Sequence, residues 1–136
     1  METLAEPTAP AKGASGAQIL IIEDDLGMRE LLAVHLREAG YRVRTAADGH
    51  VGGNMLLESR PDLVLLDLRM PHIAGDELLS LIRGDAALQH LKVIVLTILR
   101  GSAINEDIER LGVSALLHKP VQKEALLAAV DKALRT

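Results

Sequence analysis

Four short apolar runs, each ending in a polar residue able to do chemistry, constrain this chain more than anything else in it. Leu63-Val64-Leu65-Leu66 stops at Asp67, followed by Leu68-Arg69-Met70-Pro71. Gln18-Ile19-Leu20-Ile21-Ile22 runs into Glu23-Asp24-Asp25, Val93-Ile94-Val95-Leu96 into Thr97, and Ala115-Leu116-Leu117-His118 into Lys119-Pro120. An apolar run of this length between turn signals reads as a strand buried on both faces of a parallel sheet. In open parallel sheets, ligand chemistry lies beyond the carboxyl ends of the strands, where all four polar groups fall. Taken singly, an Asp or Thr after a strand is a helix cap or turn former, and a Lys before Pro a solvated loop residue. Four such ends in one chain shift the balance toward a shared site.

The intervening segments supply helices. Leu26 to Ala39 carries Met28, Leu31, Leu32, His35 and Leu36 at helical spacing, with Arg29, Glu30, Arg37 and Glu38 elsewhere and Gly40 to stop it. His35 reads as a partly buried structural histidine. Tyr41 to Thr45 alternates apolar and polar residues, as an edge strand does. A helix over about 51–59 starts with Gly52 and Gly53, each costing roughly 1 kcal/mol against alanine, and is expected to be the weakest. After strand three (62–67), the turn 70–75, with a solvated His72, leads to a helix burying Leu78, Leu79 and Ile82. Strand four (92–97) precedes a helix near 102–111 with Ile104, Ile108 and Leu111 apolar. Strand five (113–118) precedes a last helix from about Gln122 to Leu134, with Ala125, Leu126, Ala129, Val130 and Ala133 inward. Five strands alternating with five helices make an α/β doubly wound parallel sheet.

At 136 residues and 49% hydrophobic, the chain suits one domain with one sizeable core. With Tyr41 as its single aromatic, that core is aliphatic, and the absence of cysteine excludes thiolate chemistry. The net charge of −4 comes without a basic cluster or stacking aromatics, so no direct nucleic-acid contact is expected. No apolar segment approaches the roughly 18 residues of a membrane span, and the start lacks a secretory pattern. Residues 1–17, rich in Ala, Pro, Gly and Thr, are expected to form a disordered tail ahead of a domain over 18–136.

Three acids close together, Glu23, Asp24 and Asp67, repel unless a cation lies between them. A few hard carboxylate oxygens suit Mg²⁺, which keeps several waters and takes phosphate oxygens. An aspartate beside such an ion is a competent nucleophile toward phosphorus. Lys119 could neutralise charge in phosphoryl transfer and Thr97 could donate its hydroxyl.

With these pieces in place the chain resembles the response-regulator receiver domains of bacterial two-component signalling. The resemblance covers about residues 18–135 and rests on 19–25, on 61–71 with Gly75, on 93–97 and on Lys119-Pro120. Separations of 43 residues from Asp24 to Asp67, 30 from Asp67 to Thr97 and 22 from Thr97 to Lys119 agree with the family's intervals. It implies a flavodoxin-like sheet of strand order 2-1-3-4-5. It also implies that Asp67 accepts phosphate from a histidine kinase or histidine phosphotransfer protein, in a Mg²⁺-dependent reaction that the protein assists in both directions without being an enzyme. Glu23, Asp24, Asp67 and the backbone carbonyl of Arg69 would serve the metal, Thr97 and Lys119 would contact the phosphoryl group, and Lys119-Pro120 would be cis. A cytoplasmic location and a downstream protein partner follow from the same resemblance.

The chain departs from the family at three places: Leu116 stands where an aromatic is usual, Ile98 where a small residue follows the switch threonine, and the sequence ends where many relatives begin an output domain. Ser114-Ala115 likewise lacks the acidic pair of the winged-helix transcription-factor branch. The expectation is a stand-alone receiver. The alternatives are a receiver belonging to a longer regulator or hybrid kinase, and a Mg²⁺-dependent phosphohydrolase with an aspartyl-phosphate intermediate. A hydrolase wants a second acid two residues after the nucleophile, where Arg69 stands.

Overall fold

The computed structural model describes residues 16–69, 75–98, 106 and 108–136. In order these form β1 (Gln18–Ile22), α1 (Leu26–Glu38), β2 (Arg42–Ala46), α2 (Gly49–Glu58), β3 (Leu63–Asp67), α3 (Gly75–Gly84), β4 (Lys92–Thr97), β5 (Ala115–His118) and α5 (Lys123–Arg135). Residues 106 and 108–110 are helical and belong to α4. The five strands are all parallel, in the order β2-β1-β3-β4-β5.

Period-2 alternation divides the central strands between two cores. Ile19 and Ile21, Leu63 and Leu65, and Ile94 and Leu96 face one side with Leu32, Leu36, Leu126 and Val130 of α1 and α5. Leu20 and Ile22, Val64 and Leu66, and Val93 and Val95 face the other with Leu56, Leu78, Leu79, Ile82 and Ile108 of α2, α3 and α4. Continuous rather than alternating hydrophobicity in β1, β3 and β4 is therefore the consequence of helices on both faces. β2 is an edge strand with exposed Arg42, as its alternation suggests.

Packing departs from the periodicity in places. Leu31 is 49% exposed, whereas Leu32, Ala33 and Leu36 are buried, because the stripe of α1 that meets the sheet is centred one residue later. Ala125 is exposed, and Leu126, Val130 and Ala133 carry the contact of α5. Tyr41 precedes β2 and is buried among Leu36, Val130 and their neighbours. His35 is half-buried. Gly52 is not merely a weak helix former: a Cβ there would lie 2.5 Å from Cδ1 of the fully buried Ile22, so α2 reaches the sheet only because position 52 has no side chain. Gly40 ends α1 at φ 100°.

Ala17 is buried, and its carbonyl accepts the Arg42 amide at 2.9 Å. Residues 1–15 of the expected tail, the turn 70–74 with His72, and Leu99 and Ile104 with most of the expected fourth helix lie outside the described residues. No described helix is long and apolar enough to cross a membrane.

Candidate functional site

Strand register brings the polar ends together. Ile22 pairs with both Ala46 and Leu66, Asp67 pairs with Leu96, and Thr97 pairs with His118, so residues 23, 67, 97 and 119 end four adjacent rows on one rim. The ladder continues one step beyond the strands, the Glu23 amide donating to Ala46 O at 3.1 Å and the Lys119 amide to Thr97 O at 2.9 Å.

Glu23 and Thr97 are fully buried and Asp67 is 3% exposed, whereas Asp24 is open to solvent. Lys119 Nζ lies 2.8 Å from Glu23 Oε1 and 3.3 Å from Asp67 Oδ2. The cation that the acid cluster calls for is thus partly supplied by the chain itself. The second oxygen of Glu23 accepts the Asp25 amide at 3.2 Å, and Asp67 Oδ1 accepts the Arg69 amide at 3.2 Å. Asp25 itself caps α1, accepting the Met28 amide at 2.7 Å, so it is spent on the helix start. Lys119-Pro120 is cis, as the resemblance implies.

Burial pushes the Glu23 carboxyl up to about 7, and the hydrogen bonds from Lys119 and the Asp25 amide offset this only in part. Burial also acts to lower the Lys119 ammonium. Its hydrogen bonds and attraction to Glu23 and Asp67 outweigh that, and it is held above the usual lysine value.

Glu23, Asp24 and Asp67 each offer a carboxylate oxygen within 4.8 Å of the others, a donor set that fits a hard divalent cation such as Mg²⁺. Two buried acids and one exposed acid leave such an ion open to water and to a ligand on the solvent side.

Sequence reasoning overlooked Arg29. It reads as an ordinary exposed cation of an amphipathic helix, yet it is half-buried and its Nη1 donates to the carbonyls of Glu23 at 2.9 Å and Asp24 at 3.4 Å. It holds the main chain of the acidic turn against α1. The available signal was an arginine one turn into a helix that begins directly after an acid pair.

Ile98 is 55% exposed beside the rim, and Leu116 is partly buried against the α2 and α3 side of the sheet. No aromatic side chain stands at either position.

Comparison with known proteins agrees with this geometry. The chain is 35% identical over 120 residues to the DNA-binding dual master transcriptional regulator RpaA of Synechocystis, covering 87% of this chain and 49% of that protein. It is 38% identical over 122 residues to the transcriptional regulatory protein AfsQ1 of Streptomyces coelicolor, covering 86% and 51%. The chain therefore spans about half the length of these curated relatives. Among solved structures, a putative response regulator from Chloroflexus aurantiacus superposes with a TM-score of 0.84 at 28% identity, covering 90% of this chain and all of that one. The chemotaxis protein CheY4 of Vibrio cholerae superposes at 0.82 and 26% identity, covering 88% and 99%. Residues 19–131 match the family model of the response regulator receiver domain, and the chain belongs to that family.

Proposed function

We propose that Asp67 is the phosphoacceptor of a Mg²⁺-dependent receiver that takes its phosphoryl group from a histidine kinase or histidine phosphotransfer protein. The observation that carries this reading is the pair of buried Asp67 and partly buried Lys119, 3.3 Å apart, beside the cluster of Glu23, Asp24 and Asp67. An oxygen of Asp67 forms the new bond to phosphorus as the P–N bond to histidine breaks, and the imidazole leaves with the electron pair. Lys119 is positioned to follow the charge from the carboxylate to a phosphoryl oxygen, and the Thr97 hydroxyl is assigned to a second oxygen. Glu23, Asp24, Asp67 and the carbonyl of Arg69 would hold Mg²⁺, which would neutralise the transferred oxygens when bound. Arg29 keeps the acidic turn in place, and burial of Glu23 and Asp67 limits competing water.

The output is assigned to contacts with a downstream protein, in the cytoplasm and without direct nucleic-acid contact by this domain. RpaA and AfsQ1 are each about twice this length, and the chemistry at Asp67 is the same for a receiver that stands alone and for one within a longer regulator. A phosphohydrolase is disfavoured by Arg69, which occupies the place of its second acid.

Incubation with acetyl phosphate and Mg²⁺ tests the reading. A gain of one phosphoryl group, mapped to Asp67 and persisting through isolation, supports it. Sustained release of inorganic phosphate without a retained phosphoryl group overturns it in favour of a hydrolase.

A further inference from the structure

The end of the sheet opposite the acidic rim gathers charge of the other sign. Two open cavities lie there side by side, of about 670 Å³ and 460 Å³, with His90 and Lys92 lining both. The larger adds Arg60 and Asp62 from the turn before β3, and the smaller adds Arg83 and Arg110. Lys92 opens β4 and pairs with Leu63 at the start of β3, so parallel order puts the preceding turns next to each other, just as it gathers the strand ends at the rim. The two ends of β4 are about 17 Å apart at the usual strand rise.

Most of this positive charge meets no carboxylate. Arg83 spreads its half-buried guanidinium over four main-chain carbonyls instead. Nε donates to Leu111 O at 2.6 Å and Nη2 to Gly112 O at 3.1 Å, while Nη1 donates to Leu91 O at 2.7 Å and Gln89 O at 3.1 Å. These bonds tie the turns together and set no negative charge against the cation. Lys92 Nζ donates to Thr136 O, and an ammonium keeps further N–H donors beyond that one. The side chains of Arg60 and His90 are exposed and hold no partner among the described residues. Asp62 is the one acidic side chain in either lining, and its Oδ2 is occupied by the Gln18 amide at 2.7 Å. A chain of net charge −4 thus turns cations from separate loops into one concave surface, a shape that focuses their field.

Cations spread over two adjoining cavities suit a short chain of linked anions better than a single anion. Arg60 offers a planar fork that matches phosphoryl oxygens, and Lys92 a point charge beside it. Tyr41, the single aromatic of the chain, is buried in the core, so no ring is available to stack on a nucleotide base. We propose that this surface binds a short chain of linked phosphoryl groups, as in inorganic triphosphate or the triphosphate of a nucleotide, between Arg60, His90 and Lys92. The site is separate from Asp67 and does not depend on the chemistry there.

The test is a titration of the full chain, labelled with ¹⁵N, with inorganic triphosphate in Mg²⁺-free buffer, with inorganic phosphate and ATP as further arms. Amides of Arg60, Asp62, His90 and Lys92 are expected to shift saturably, and more than those of Asp67 and Lys119. Arg60→Glu should weaken binding at least about tenfold, the scale of one charge-assisted contact. Asp62→Asn keeps an oxygen for the Gln18 amide and should tighten binding, which a merely structural role for Asp62 would not do. Inorganic phosphate should bind more weakly than triphosphate, and ATP no more tightly than triphosphate. Shifts largest at Asp67 and Lys119 put the anion on the rim and overturn the proposal. So does an affinity for triphosphate that Arg60→Glu leaves unchanged, or one that inorganic phosphate equals. Binding of ATP without binding of inorganic triphosphate overturns it too, because the base would then be the group recognised.

Discussion

Lys119 Nζ stands 2.8 Å from Glu23 Oε1, so an ammonium from the end of β5 faces an acid that β1 buries completely. The pairing does not fully offset desolvation, and the Glu23 carboxyl remains up at about 7. A group whose folded value exceeds its unfolded one stabilises the fold fully below the unfolded value and loses that contribution as pH rises through the folded one.

Metal-free protein should therefore lose stability between about pH 4.5 and pH 8 through Glu23. Glu23→Gln, which imitates the neutral acid, should melt several degrees above wild type at pH 8 and close to it below pH 4.5. Thermal melts at the two pH values, without Mg²⁺, check this. Equal melting points at pH 8 would mean that Lys119 neutralises Glu23 completely.

Asp67→Asn should abolish phosphorylation by acetyl phosphate with little loss of stability. The replacement is nearly isosteric and keeps an oxygen able to accept the Arg69 amide that Asp67 Oδ1 accepts at 3.2 Å. Intact mass with and without the phosphodonor is the measurement, and persistent labelling would move the acceptor elsewhere.

Ile98→Ala should speed decay of the phosphorylated form about tenfold, corresponding to about 1.4 kcal/mol in barrier. The stiff, β-branched side chain at the rim is expected to narrow the path of the attacking water. Because Ile98 is 55% exposed, the same change should scarcely alter the melting temperature. An unchanged decay rate in Mg²⁺ buffer would remove Ile98 as the gate.

Gly52→Ala should destabilise the protein by about 1–3 kcal/mol, although alanine is the better helix former by about 1 kcal/mol. The added methyl would meet Ile22 at 2.5 and 2.8 Å, and Ile22, wholly buried, has nowhere to go. Urea denaturation of the two proteins decides the sign, and a stabilised variant would show that α2 can back away from the sheet.

The strands and their buried character were legible because solvent exclusion acts on neighbours along the chain: Leu63 to Leu66 and Val93 to Leu96 are apolar without interruption since both faces are covered. The same runs delivered Asp67, Thr97, Glu23 and Lys119 to strand ends, and parallel order is enough to put strand ends on one rim. The three acids, alike as residue types, differ in burial for a reason the sequence does not contain. Glu23 continues central β1 along its ladder with β2 and Asp67 pairs with Leu96 in the β3–β4 ladder, while Asp24 has already turned outward toward α1. Arg29 and Arg83 look like any solvated helix cation, and Gly52 like a helix defect. Their roles come from carbonyls up to 29 residues away and from Ile22 on another strand. A local pattern encodes which side of an element avoids water, but a contact between distant segments exists only once packing has chosen which faces meet.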